Sequence, residues 1–207
     1  MNTSPQSPLI HLIDDDAAVR DGLALLIATV GLRVQPWADP QDFLARFDRA
    51  EIGAIVLDVR MPGIGGLGVL DTLVAQGVDQ PVVMLTGHGT VDMCRRAFKA
   101  GAAEFLEKPV NDEQLIEALQ GAVRQHIRSR ERVQGDQAAR ERFAQLSARE
   151  REVLAFIVRG LTNKEIARAL DLSPRTVETH RAHLFAKLGC ESLAQLVRGY
   201  AALAEAP

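Results

Sequence analysis

Ala54-Ile55-Val56-Leu57-Asp58-Val59-Arg60-Met61-Pro62-Gly63-Ile64-Gly65-Gly66 decides the fold. Four apolar residues lead straight into one carboxylate, and a proline and glycines follow it. A short continuous apolar run closed by turn residues reads as a fully buried strand of a parallel sheet. Asp58 then stands at the strand's carboxyl end, the edge where open α/β sheets bind ligands. A carboxylate at that lip is costly to bury without a partner, so the neighbouring segments are read for what could pair with it.

Upstream, Leu9–Ile13 is a strand candidate ending in Asp14-Asp15-Asp16. A helix follows, with Val19, Leu23, Leu26, Ile27 and Val30 at helical spacing and Gly31 as its stop. Arg33–Trp37 is a short second strand, and Asp39-Pro40 starts a helix with an acidic cap and a first-turn proline. Downstream of Asp58, a helix from about Gly66 to Gln76 closes at Gly77. Val82–Leu85 is another buried strand, ending in Thr86-Gly87-His88-Gly89. A helix over 91–100 stops at Gly101, and a strand over Ala103–Leu106 ends in Glu107-Lys108-Pro109. A last helix starts at Asn111 or Asp112. Strands alternating with helices five times predict an α/β domain with a doubly wound, five-stranded parallel sheet. Parallel strands carry Asp14, Asp15, Asp58, Thr86 and Lys108 to one edge.

That convergence has a chemistry. Three carboxylates in one crevice repel one another and raise each other's pKa values. A divalent cation removes the conflict, and an all-oxygen donor set favours a hard one such as Mg²⁺ or Mn²⁺. Asp58 is the natural nucleophile, since carboxylates form aspartyl-phosphates. Lys108 would neutralise phosphoryl oxygens, and Thr86 would donate a hydrogen bond to one of them. Taken singly, the acidic triplet reads as a solvated helix start, Lys108 as a surface lysine and Thr86 as a turn residue. Their shared position at successive strand ends argues for a site. His88 reads as loop structure and Trp37 as a packing residue.

The chain has 207 residues, 47% of them apolar and 25% charged, which suits two modest globular domains. No apolar run approaches the roughly 20 residues of a membrane span. Met1–Pro8 is polar and lacks the pattern of a signal peptide. Cys94 and Cys190 stand far apart, outside any CxxC pattern. Two reduced cysteines in a cytoplasmic protein without membrane partners are therefore expected. Residues 1–120 hold 9 basic and 17 acidic side chains, and residues 121–207 hold 15 and 10. An acidic half joined to a mildly basic one suggests a different partner for each.

The helix that begins near Asp112 is expected to run past Arg128 into an arginine-rich, solvated linker with a break near Gly135. Ser147 with Glu150, and Thr162 with Glu165, form two capping boxes, each opening a short amphipathic helix. Ser173-Pro174 caps a third, carrying Val177, Leu184 and Leu188 on one face, and a fourth follows from about Ser192 to Leu203. Four short helices make a small all-α domain, and the tight Asp171-Leu172-Ser173-Pro174 turn makes its middle pair a helix-turn-helix unit. The third helix turns Arg175, Thr179, Ala182 and Ala186 outward, flanked by Glu178 and His183. Such a face suits a helix entering the major groove, and geometry alone equally allows an ordinary solvated helix.

Asp14-Asp15-Asp16, Asp58-x-x-Met61-Pro62-x-x-x-Gly66, Thr86-Gly87-His88-Gly89 and Lys108-Pro109 resemble the receiver domain of bacterial response regulators over residues 8–125. Leu146-Ser147-x-Arg149-Glu150, Thr162-Asn163-Lys164-Glu165-Ile166-Ala167, Thr176-Val177-x-x-His180 and Lys187-Leu188-Gly189 resemble the LuxR-type DNA-binding domain. In this order the two resemble the NarL/FixJ class of regulators. The resemblance implies a receiver at 1–125, a helical linker at 126–143 and a helix-turn-helix domain at 144–207. It also implies that Asp58 takes a phosphoryl group from a sensor histidine kinase, and that Mg²⁺ is held by Asp14, Asp15, Asp58 and the Arg60 carbonyl. Thr86 and Phe105 are the implied switch pair, and the Lys108-Pro109 bond is implied to be cis. The implied output is homodimerisation, promoter binding and contact with RNA polymerase. Lys164, Arg175, Thr176, Glu178, Thr179, Ala182, His183 and Lys187 are the candidate DNA-contacting residues. The chain is thereby expected not to be an enzyme, beyond slow autodephosphorylation. A rival reading, a Mg²⁺-dependent aspartyl-phosphate phosphatase using Asp14-Asp15-Asp16, leaves Asp58, Thr86, Lys108 and the helical half unexplained. A dinucleotide-binding domain is discarded, because acids stand where a glycine-rich turn is required.

Overall fold

The computed structural model describes residues 7–204, so most of the polar Met1–Pro8 stretch lies outside the described residues. The chain divides into two compact units, Met1–Arg130 and Glu131–Pro207. The first holds five strands: β1 (Leu9–Ile13), β2 (Arg33–Trp37), β3 (Gly53–Asp58), β4 (Val82–Thr86) and β5 (Glu104–Glu107). All are parallel, in the order β2-β1-β3-β4-β5. Between them run α1 (Ala17–Ala28), α2 (Pro40–Arg46), α3 (Gly65–Ala75) and α4 (Val91–Lys99), and α5 (Asp112–Ala144) follows β5.

Side chains alternate across the central strands, as a pleated backbone requires. Ile55, Leu57, Val82 and Met84 pack with Phe43 of α2, Leu70 and Leu73 of α3 and Ala97 of α4. Ile10, Leu12, Val56, Val83 and Leu85 pack on the other face with Ile27 of α1 and Leu115, Leu119 and Val123 of α5. With both faces covered, β1, β3 and β4 are buried along their full length, which is why they read as unbroken apolar runs. The register pairs Ile13 with Leu57, Asp58 with Leu85 and Thr86 with Glu107. Asp14, Asp58, Thr86 and Lys108 therefore finish on one edge of the sheet.

Local signals set the element ends. Asp16 caps α1 by accepting from the Ala18 and Val19 amides, and Asp39 and Thr90 cap α2 and α4. Two expectations need correction. Val30 lies beyond the end of α1 and is 38% exposed rather than part of its packed stripe. The break expected near Gly135 does not occur, because α5 runs unbroken for 33 residues. A glycine inside a helix costs about 1 kcal/mol relative to alanine, and here the surrounding Arg, Glu, Gln and Ala residues are good helix formers. Gly66 has a different task. A Cβ there would stand 2.1 Å from the Asp58 carbonyl oxygen and 2.9 Å from Val59 Cα, so only glycine lets α3 start against the end of β3.

The second unit packs α6 (Ala148–Val158), α7 (Asn163–Ala169), α8 (Pro174–Leu188) and α9 (Leu193–Ala204) around Val153, Leu154, Ile157, Ile166, Val177, Leu184, Leu188, Leu196 and Tyr200. The capping boxes of Ser147 with Glu150 and Thr162 with Glu165 are both formed. Ser173 caps α8, and Gly189 closes it in the left-handed conformation. The turn from α7 to α8 contains Asp171 at φ 53°.

His11 on β1 is 1% exposed and surrounded by the rings of Trp37, Phe43 and Phe47. Its Nδ1 accepts the Trp37 Nε1–H at 3.1 Å, which requires the neutral ring. Burial lowers its pKa to about 4, against the opposing pull of the Glu51 and Asp48 carboxylates. The unfolded chain therefore binds more protons than the folded one between about pH 6.5 and 4, and stability falls as pH drops through that window. Urea midpoints at pH 7 and pH 5 are expected to differ accordingly, with a slope of at most about 1.4 kcal/mol per pH unit from this group. His11→Gln should remove that part of the slope, and an unchanged slope would reject the assignment.

Adding a methyl group at two glycines is expected to have opposite effects. Gly66→Ala should destabilise the first unit by about 3 kcal/mol or more, because the obstacle is backbone. Gly135→Ala, where nothing lies within 4 Å of the added carbon, should stabilise the second unit by about 0.5–1 kcal/mol. Denaturant midpoints of the full chain check both.

Candidate functional site

The sheet edge in the first unit is built around one ammonium group. Lys108, which follows β5, places Nζ 2.6 Å from Asp14 Oδ2 and 2.6 Å from Asp58 Oδ1. Both carboxylates are nearly sealed from solvent, Asp14 at 1% and Asp58 at 4% exposure. Their second oxygens are also held. The Asp16 amide donates to Asp14 Oδ1 at 3.0 Å, and the Arg60 amide donates to Asp58 Oδ2 at 2.8 Å. The Arg20 guanidinium donates to the Asp14 carbonyl at 2.7 Å and fixes the start of that loop.

Two buried anions against one cation leave a surplus of negative charge. Burial raises the Asp58 pKa above the ordinary carboxylate value. The Lys108 hydrogen bond and charge counter this only in part, and Asp14 adds to the rise. Lys108 is affected the opposite way. Burial pulls its pKa down, but bonds and charges from Asp14 and Asp58 outweigh burial and leave it raised. The lysine is therefore held firmly charged.

Thr86, the last residue of β4, is fully buried, and its Oγ1 accepts the His88 amide at 3.3 Å. Asp15 stands exposed at the rim, and the Arg60 guanidinium crosses the mouth of the site to His88 Nδ1. Phe105 on β5 is half-buried against the apolar layer under α2 to α4. Its ring and the Thr86 methyl flank Gly89, where a Cβ would lie 3.4 Å from each. The Lys108-Pro109 bond is cis. Among the described residues no three His, Cys, Asp or Glu side chains converge closely enough to hold a metal by themselves. Two buried carboxylates, Asp14 and Asp58, are still an all-oxygen donor set that fits Mg²⁺, which takes only one or two carboxylates and keeps several waters.

The second unit presents the candidate nucleic-acid face. Arg175, Glu178, Thr179, Ala182, His183 and Lys187 are exposed along α8, Thr176 is half-buried, and Lys164 is exposed in the first turn of α7. Val177, Leu184 and Leu188 point the opposite way, into the core. Thr176 Oγ1 is tied to Ser173 Oγ at 2.8 Å, and Thr179 Oγ1 donates back to the Arg175 carbonyl at 3.1 Å. Lys187 is exposed, yet its ammonium sits 2.7 Å from Glu150 Oε2. Neither that pair nor the Arg60–His88 contact was legible in sequence. The first joins residues 37 positions apart, and no periodicity reports such a contact.

Comparison with known proteins agrees with this geometry. Residues 10–120 match the response regulator receiver domain, and residues 144–199 match the bacterial regulatory proteins of the luxR family. The transcriptional regulatory protein FixJ of Bradyrhizobium diazoefficiens is 44% identical over 191 residues, covering 91% of this chain and 92% of its own. The C4-dicarboxylate transport transcriptional regulatory protein DctR of Rhodobacter capsulatus is 41% identical, covering 91% and 97%. The solved structure of the response regulator StyR superposes with a TM-score of 0.83 at 35% identity, covering 95% of this chain and 99% of that one. The phosphatase reading finds no support among these matches, which are transcription regulators. The chain belongs to the NarL/FixJ class of response regulators, phosphorylation-dependent transcriptional regulators in which a receiver domain is joined to a LuxR-type DNA-binding domain.

Proposed function

We propose that Asp58 is the phosphoacceptor of this regulator, with a receiver at 1–125, a helical linker at 126–143 and a helix-turn-helix domain at 144–207. The observation that carries the assignment is the Lys108 ammonium bridging Asp58 and Asp14 at 2.6 Å each. A phosphohistidine of a sensor histidine kinase is the donor: its P–N bond breaks as a P–O bond to Asp58 forms. Mg²⁺ or Mn²⁺, held by Asp14, Asp58, the Arg60 carbonyl and Asp15 at the rim, would supply charge that neutralises the phosphoryl oxygens. Lys108 is already charged beside the acceptor and turns to a phosphoryl oxygen. The Thr86 hydroxyl, whose oxygen accepts one long amide bond, keeps its own proton free to donate. Hydrolysis of the phosphoaspartate is a slow side reaction and not the protein's task.

A new buried charge acts at a distance only through a bistable element. Thr86 and Phe105 meet beside Gly89, at the start of the loop into α4. The Val91 and Phe98 side chains of α4 are 86% and 45% exposed, more than packing within the unit requires. This supports a homodimer of the phosphorylated form through the α4, β5 and α5 face. The dimer binds promoter DNA in the cytoplasm and contacts RNA polymerase. Acetyl phosphate with Mg²⁺ is expected to label the wild type at one site and to shift its sedimentation from monomer to dimer. Asp58→Asn, nearly isosteric, should fold, stay unlabelled and stay monomeric. Undiminished labelling of that variant would overturn the assignment.

On the DNA side, Glu178, Thr179 and Ala182 are proposed to face base edges, beside Thr176 and His183, with Lys164 and Arg175 on phosphate. Lys164 and Arg175 sit in the first turns of their helices, where the backbone also favours anions. With its hydroxyl bonded back to Arg175, Thr179 is left to present its methyl, which suits a thymine methyl. Glu178 can accept from a cytosine amine, and as an anion it also reduces non-specific affinity. Glu178→Ala is therefore expected to relax sequence preference by roughly 1–3 kcal/mol. Binding to specific and scrambled duplexes is the check, and an equal loss on both would exclude base reading.

A further inference from the structure

Lys187 lies in the last turn of α8 and is exposed, as a phosphate-contacting lysine would be. Its ammonium is nevertheless committed elsewhere. It donates to Glu150 Oε2 at 2.7 Å, and the Gln145 carbonyl lies 3.5 Å away. The same Glu150 oxygen accepts the Ser147 amide at 2.7 Å, and the Ser147 hydroxyl accepts the Glu150 amide at 3.3 Å. Glu150 is buried, with its side chain 4% exposed. Burial alone would raise its pKa, but the bonds from Lys187 and Ser147 bring it down to about 2.

This cluster ties together three parts of the second unit. Gln145 and Ser147 belong to the corner between the end of α5 and the start of α6, Glu150 to the first turn of α6, and Lys187 to the far end of α8. The residue after Lys187, Leu188, is in the core, and its carbonyl accepts the Tyr200 hydroxyl of α9 at 3.0 Å. The end of the recognition helix is thus fastened on two sides. A lysine that left Glu150 for a phosphate would strand a buried carboxylate without its cation, which is strongly unfavourable.

We infer that Lys187 is a positioning residue rather than a phosphate contact: with Glu150 it locks α8 to the α5–α6 corner and sets the angle at which α8 meets DNA. The inference rests on the DNA-binding reading of this unit. It separates two roles that exposure alone merges. A phosphate contact acts on every sequence and appears in the salt dependence. A positioning contact weighs chiefly on the selected sequence, because base-edge hydrogen bonds are the contacts that demand one helix angle most strictly.

The test uses the whole 207-residue chain, a duplex selected from a random pool by the wild type, and a scrambled duplex of the same composition. Affinities are measured across a salt series for Lys187→Met, Glu150→Gln, the double variant and Lys187→Arg. Lys187→Met and Glu150→Gln should each lose about tenfold on the selected duplex, with the scrambled duplex and the salt slope unchanged. The double variant should lose no more than either single one, since each removes the same lock. Lys187→Arg, which keeps the charge and the reach, should retain most of the affinity. The Glu150→Gln result is the sharpest, because it removes a negative charge and electrostatics alone would tighten binding to a polyanion. Should either single variant unfold, the double variant, which leaves no unpaired charge in the cluster, carries the test. The inference falls if Lys187→Met lowers the salt slope by about one and weakens both duplexes alike. A wild type that selects no duplex at all brings down the DNA-binding reading itself, and the inference with it.

Discussion

One ammonium group between two buried carboxylates is the constraint on which the first unit turns. Hydrophobic burial drives β1, β3 and β4 into the middle of the sheet and delivers Asp14 and Asp58 to one edge, whatever their mutual repulsion. Lys108 makes that arrangement tolerable from the end of β5, 94 residues after Asp14. Removing one partner from such a buried pair typically costs about 3–5 kcal/mol. Asp58 is thus held beside a cation that offsets part of its charge, and in the proposed phosphoryl transfer the lysine would change which anion it serves. On the proposed role of Asp58, stability and chemistry would share this one contact.

The order of strands and helices was legible because each buried strand is a short apolar run ended by polar residues. The edge residues were legible for the same reason, since a parallel sheet puts all strand ends together. What escaped was partner choice. The sequence places Lys108 near Asp58 but does not say that it will bridge two acids, because that depends on the half-turn of backbone after β5. The course of α5 through Gly135 is not legible in the sequence, because a lone glycine weakens a helix by less than its good helix-forming neighbours can absorb.

The second unit shows the same division between local and distant information. Capping boxes join residues three apart, so both were visible in the sequence and both are formed. The outward face of α8 was equally visible, because helical geometry alone sets it. Asp171 takes a left-handed conformation in the turn between α7 and α8, a place usually given to glycine, and Asp is among the few other residues that tolerate it. Glu150 announced itself only as a cap. That the same carboxylate anchors the far end of α8 depends on packing between helices, which no local pattern encodes.

The close approach at Gly66 has a consequence in time as well as in space. The Asp58–Val59 backbone is pinned from three directions: the Val59 amide bonds Leu85, the Val59 carbonyl receives the Gly66 amide, and α3 starts hard against it. Around it lie Asp15, Arg60, Gly87, His88 and Gly89, all exposed. Buried, hydrogen-bonded backbone in general opens only at a large share of the global unfolding free energy, whereas exposed loop backbone opens at little cost. On the proposed role of Asp58, a phosphodonor would meet the exposed border first, and the backbone under Asp58 would stay pinned as it arrives.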